Sequence, residues 1–189
     1  MIRWWTPFQW RLIRYELKLL VPFCVVLLFP SISIAQEADD AKLLKQAGKQ
    51  AQAMVDATLK ENYETVIKLT FKPALESIGG SEKALEAIKT QMNQMKSGGM
   101  VIEGFKLGDP KDLGRTPEYV FAIIPTFMQM TIPNAEVKAD SYLLGISEDK
   151  GKTWLFIDGA SLNPKPKWLP KLPEKYELPT PIPPKIKAK

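Results

Sequence analysis

The sequence predicts an α+β protein, with three N-terminal helices packed on one face of a curved, cone-like, four-strand antiparallel meander. Three observations carry this. Apolar residues recur at helical spacing from Ala41 to about Met95. After Gly99 the period shifts to short β-rich runs. Those runs are separated by short turn signals, which pair neighbours antiparallel.

The first helix carries Leu44, Ala47, Ala51, Met54, Val55, Thr58 and Leu59 on one stripe, behind Asp39 and Asp40 as cap and dipole partners. Asn62 caps a second helix with Tyr63, Val66, Ile67, Thr70 and Phe71, which Pro73 kinks or restarts and Gly79-Gly80 stops. Ser81 caps a third, with Glu82 in its first turn and Ala84, Leu85, Ile88, Met92 and Met95 facing inward; Ser97-Gly98-Gly99 ends it. The strands are MVIEGFKL (100–107), EYVFAIIPTFMQMTI (118–132), EVKADSYLLGIS (136–147) and TWLFIDGA (153–160), with a polar loop after Gly108-Asp109-Pro110. The second strand is apolar on both faces, so its outer face needs a cover: a dimer partner or the returning C-terminal tail. Phe127, Met128 and Met130 are its interface candidates, and Pro125 marks a bend.

The chain divides into residues 1–35, a body at 36–162 and a tail at 163–189. Arg3, Arg11, Arg14 and Lys18 precede an uncharged run from Leu19 to Phe29, followed by Pro30 and SISIA, with Ser33 and Ala35 at the −3 and −1 places. That pattern predicts a secretory signal cleaved near Ala35, hence a periplasmic or secreted protein. The 11-residue run is short for a membrane span. The alternative is an uncleaved anchor with Trp4, Trp5 and Trp10 at the membrane interface. The body is slightly acidic, whereas the tail holds seven lysines, two glutamates and eight prolines. Basic charge thus comes from the two ends and not from a folded face, which argues against nucleic acid. The tail favours extended polyproline II structure. It reads either as a solvated strip or as a docking strip, with Trp168 and Tyr176 among its apolar anchors, its lysines meeting an acidic envelope partner and its part up to Leu178 able to pack back on the body.

Histidine is absent and Cys24 is the only cysteine. Disulfide pairs within the chain, Cys/His zinc sites and histidine-based nucleophile arrangements are excluded. No carboxylate spacing suggests a metal loop, and no cofactor motif is visible.

SEDKGKTW (147–154) fits the Asp-box pattern S-x-D-x-G-x-T-W known from sialidase-like propellers. It occurs once, where a propeller would repeat it. Arg115 is the single arginine after residue 35, where a sialidase site would use three. The stretch therefore reads as a hairpin turn: Asp149 binds backbone N–H groups, Gly151 takes a positive φ, and Trp154 enters the core.

KPALESIGGSEKALEAIK (72–89), a helix–Gly-Gly–helix join, and the closing strand TWLFIDGAS (153–161) resemble the nuclear transport factor two-like fold and its SnoaL-like relatives. The resemblance implies a cone with a pocket between helices and sheet, and frequent dimers through the outer sheet face. Pocket candidates are Tyr63, Tyr119, Trp154, Phe156 and Asp158. In enzymes of this fold an Asp base with a Tyr donor is the version left open by the lack of histidine, drawing on Asp158, Asp140, Tyr63, Tyr142 and Tyr119. Asp158 also reads as an ordinary strand-end carboxylate with a hydrogen-bond partner. Fold alone assigns no function. Three readings follow: an exported non-catalytic module holding a small hydrophobic ligand or a protein partner, an isomerase- or lyase-type enzyme, and a structural homodimer whose core is filled by Met92, Met95 and Phe105.

Overall fold

The computed structural model of the chain describes residues 31–180 and 182–188. The expected signal segment up to Pro30 lies outside the described residues. Contacts divide the chain into Met1–Asp40 and a compact unit, Ala41–Lys189, that includes the tail. None of the described helices is long and apolar enough to cross a membrane.

The described residues form an α+β fold, with four helices and an open antiparallel sheet of six strands. Helix α1 spans Ser31–Leu59. Its start lies upstream of the expected Ala41, because Gln36, Glu37 and Ala38 are helix-compatible and Asp39 and Asp40 lie inside the helix rather than capping it. Leu43, Ala47, Ala51 and Val55 repeat every four residues and are buried. Ala47 and Ala51 are fully buried, and their small side chains let the helix lie close to the sheet.

The expected second helix is two. Helix α2 (Tyr63–Lys68) is capped by the Asn62 side chain, which accepts from Thr65 N. Helix α3 (Lys72–Ser77) restarts with Pro73 in its first turn, where a missing N–H costs nothing. Between them, Leu69–Phe71 runs along the last body strand: Phe156 N donates to Leu69 O and Phe71 N to Phe156 O. Helix α4 (Ser81–Ser97) follows Gly79 and Gly80, both at positive φ. Gly80 occupies the cap position, so Ser81 is the first helical residue and not the cap. Phe71, in the link between α2 and α3, joins the cluster on the far side of the sheet.

Four strands match the expected meander: β1 (Val101–Leu107), β3 (Val120–Ile132), β4 (Ala135–Ser147) and β5 (Leu155–Asp158), in the order β1-β3-β4-β5. Two strands were not anticipated. β2 (Lys111–Arg115), read from sequence as polar loop, continues the β1 edge by pairing with Val120–Ile123 of β3. β6 (Lys185–Ala188), in the tail, pairs with Ala135–Lys138 of β4 beyond the end of β5.

Register sorts the side chains. Val120, Ala122, Ile124 and Thr126 face α1 with Leu143, Trp154 and Phe156. Phe121, Ile123, Tyr142, Leu144, Ile146 and Ile157 face outward, and the tail covers them with Trp168, Leu169, Leu172, Tyr176 and Leu178. The cover required by the two-sided β3 is therefore the chain's own tail. Trp168 and Tyr176 dock on the body, and the tail is not a free solvated strip. Phe127, Met128 and Met130 do not share a surface: Phe127 is outward and 48% exposed, whereas Met128 and Met130 alternate to the inner side.

Candidate functional site

A cavity of about 190 Å³ lies between α1 and the inner face of the sheet. Met54, Val55 and Thr58 of α1 form its roof. Phe105 of β1, Thr126 and Met128 of β3, Ala139, Ser141 and Leu143 of β4 and Asp158 of β5 form its floor and walls. The space exists because α1 presses on the near half of the sheet through Ala47 and Ala51, while small Ala139 and Ser141 leave the next part of the floor low.

The polar groups gather on one side. Thr126 and Ser141 are opposite residues of β3 and β4, and Asp158 lies opposite Leu143. Ser141 Oγ donates to Asp158 Oδ1 at 3.4 Å, and Ala160 N donates to the same oxygen at 3.1 Å. The second contact starts a short 3₁₀ turn, Gly159–Leu162, with Asp158 as its cap. Both hydrogen bonds fall on Oδ1. Among the described residues, no lysine or arginine lines the cavity.

Of the five pocket candidates, only Asp158 reaches this cavity. Its alternation with Trp154 and Phe156 places it on the inner face. Trp154 and Phe156 are fully buried in the core that supports the cavity. Tyr119 packs on the outer face, 6.0 Å from Phe121 between ring centroids. Tyr63 lies buried at the start of α2 with its hydroxyl unpartnered among the described residues. Burial pushes that phenol above its ordinary pKa, Glu61 adds to the rise and Lys96 opposes it. Tyr142 is also raised, first by burial and then by Asp158, but it lies on the outer face beneath the tail. Asp140 is on the outer side and meets Lys185 at 3.9 Å. An Asp–Tyr pair is thus not assembled in the cavity.

Sequence reasoning missed Met54 and Val55 as roof, and Thr126 and Ser141 as polar floor. Thr126 did leave a signal, as a polar break in the even-numbered apolar series of its strand.

A second cavity of about 210 Å³ adjoins the first through Thr58, which lines both. Met92, Met95, Met100, Val101 and Ile102 form much of its wall, with Glu61 and Lys96 paired at 2.6 Å beside it. Met92, Met95 and Phe105 therefore line cavities and do not fill them. Five of the seven methionines border one space or the other. Flexible thioether chains make such a lining adaptable.

The Asp-box stretch is a structural turn. Asp149 Oδ1 accepts from Ser147 Oγ at 2.9 Å, Lys152 N at 3.0 Å and Thr153 N at 2.8 Å. Lys150 and Gly151 take positive φ. Trp154 Nε1 donates to Gly151 O and its ring is fully buried. Gln50 of α1 accepts from Trp154 N, and Gln46 and Gln50 both donate to Lys152 O. The turn thereby fixes the helix that roofs the cavity.

Among the described residues, no group of three or more histidine, cysteine, aspartate or glutamate side chains is placed to hold a metal ion. The chain matches no protein-family model, and no curated protein or solved structure is significantly similar to it.

Proposed function

We propose that this chain is an exported, non-catalytic binding module that holds a small hydrophobic molecule between α1 and the sheet. One observation carries the reading: an apolar cavity of about 190 Å³ whose lining, among the described residues, includes a single carboxylate and no basic or phenolic group. That volume is below the roughly 300 Å³ at which drug-sized pockets begin, but above the roughly 150 Å³ apolar cavity that accepts benzene. The ligand is therefore about one ring or a short chain in size. The isomerase or lyase reading needs a tyrosine near Asp158 on the same side, and Tyr142 is on the other. The filled-core homodimer fits less well, because Phe105, Met92 and Met95 border open space.

The helix order and the pocket beneath α1 support a cone-like arrangement of the nuclear transport factor two-like kind. Export through cleavage near Ala35 rests on the sequence pattern of the N-terminus. The described lysines of the tail are all exposed while Trp168, Leu169, Leu172, Tyr176 and Leu178 turn inward, which supports an acidic envelope partner for that surface. A homodimer would use the part of the outer face around Phe127 that the tail leaves open.

The test is a pair of mass spectra on protein purified from its own source, one native and one denaturing. Mass lost on denaturation supports the carrier and identifies its cargo. A bare monomer or dimer mass in both spectra counts against it.

A further inference from the structure

The cavity has a polarity that its ligand must match. The aliphatic and aromatic side chains of Met54, Val55, Phe105, Met128 and Leu143 form one part of the lining, and Thr126, Ser141 and Asp158 form the other. Ser141 and the Ala160 N–H both donate to Oδ1 of Asp158. Oδ2 has no protein donor among the described residues. The carboxylate also has no lysine or arginine partner there, in contrast to Glu61 and Glu64, which pair with Lys96 and Lys89. Asp158 is exposed where it lines the cavity, so Oδ2 faces solvent beside the apolar wall; a charged N–H donor matches it best, because charge-assisted hydrogen bonds are the stronger kind. A ligand carboxylate or phosphate would meet like charge with no cation to compensate.

From this juxtaposition we infer that the cavity selects small amines: a protonated amino group at Asp158 Oδ2, attached to an apolar body of about one ring. The inference rests on the binding-module reading, and narrows it from any small hydrophobic molecule to a cationic amphiphile. Ser141 Oγ, already donating to Asp158, keeps its lone pairs for a second N–H of the same group. The alkyl or aryl body then lies against Met54, Met128 and Leu143.

Three probes of similar size separate the possibilities: benzylamine, toluene and benzoate. Each is titrated into the purified protein near neutral pH and at low salt, with binding read from the amide and methyl NMR shifts of cavity residues. Benzylamine is expected to bind roughly tenfold or more tightly than toluene, and benzoate more weakly than either. Asp158→Asn keeps an oxygen able to cap the 3₁₀ turn and should bring benzylamine down to the level of toluene. Ala139→Phe, which fills the floor, should abolish binding of both.

Equal binding of toluene and benzylamine would overturn the amine preference while leaving the cavity as a binding site. The same holds if Asp158→Asn binds benzylamine as the unmodified protein does. Failure of all three probes to shift any cavity residue would overturn the binding-module reading and the preference with it.

Discussion

Gly114 of β2 lies against the ring of Tyr176: a Cβ at residue 114 would come within 2.6 Å of ring carbons Cδ2 and Cε2 and 3.0 Å from Pro173. The tail and the β1–β2 edge are therefore fitted to each other. Gly114→Ala should push Tyr176 off its seat and destabilise the protein by about 1–3 kcal/mol, the usual cost of overpacking. The check is equilibrium denaturation together with hydrogen exchange of β2. Unchanged stability and exchange would show that the tail does not rest there.

Removal of residues 163–189 should have a larger effect. It uncovers Phe121, Ile123, Tyr142, Leu144 and Ile146 together, an apolar patch too large for a free monomer surface. The truncated protein should have a lower Tm and self-associate, as read by sedimentation. A monomer of undiminished Tm would mean that the outer face needs no cover.

Tail docking should also be sensitive to alkali. Burial pushes the Tyr176 phenol far above its ordinary range, with smaller contributions from Asp112 and Tyr142, and burial also raises Tyr142. A phenol whose folded pKa is raised holds its proton in the docked state longer than in the unfolded one. Its contribution is complete below the ordinary value near 10 and declines as pH rises above that value toward the folded pKa. Stability should therefore be flat from neutral pH to about 10 and fall beyond it, and Tyr176→Phe should reduce the fall. Trp168 fluorescence during denaturation at several pH values measures this.

At acid pH the Asp-box turn should weaken. Burial raises the Asp149 carboxyl, but hydrogen bonds from Thr153, Ser147 and Lys152 outweigh it and hold the group below its ordinary value. Its contribution is present above the unfolded pKa, near 4, and is lost as pH falls through the lower folded value. Asp149→Ala should cost roughly 1–2 kcal/mol at neutral pH, with the difference from the unmodified protein shrinking below about pH 4. A pH-independent difference would mean that the loss is one of packing.

Much of the fold was legible because its signals are local. The Gly79-Gly80 break, the turn at Asp149 and Gly151 and the entry of Trp154 into the core each depend on a few adjacent residues. β2 and β6 were not legible, because KDLGR and KIKA carry little apolar pattern and become strands through pairing with β3 and β4. The apolar outer face of β3 announced that something covers it. That the cover is Trp168, Leu172 and Tyr176 depended on contacts between residues far apart in the chain. The site followed the same division. Strand alternation gave Asp158 its side, but the roof of Met54, Val55 and Thr58 comes from where Gln46 and Gln50 fasten α1 to the Asp-box turn. Tyr119 and Tyr142 failed as pocket groups because they face the tail.

The central claim is that the space beneath α1 accepts a ligand and is not merely loose core. The most direct test is a benzene titration of protein carrying labelled methionine methyl groups. Met54 and Met128 report the cavity beside Asp158, and Met92, Met95 and Met100 report its neighbour. The account predicts saturable shifts of Met54 and Met128, abolished by Ala139→Phe. Methyl signals that stay in place at saturating benzene, or that all drift together without saturation, would contradict it.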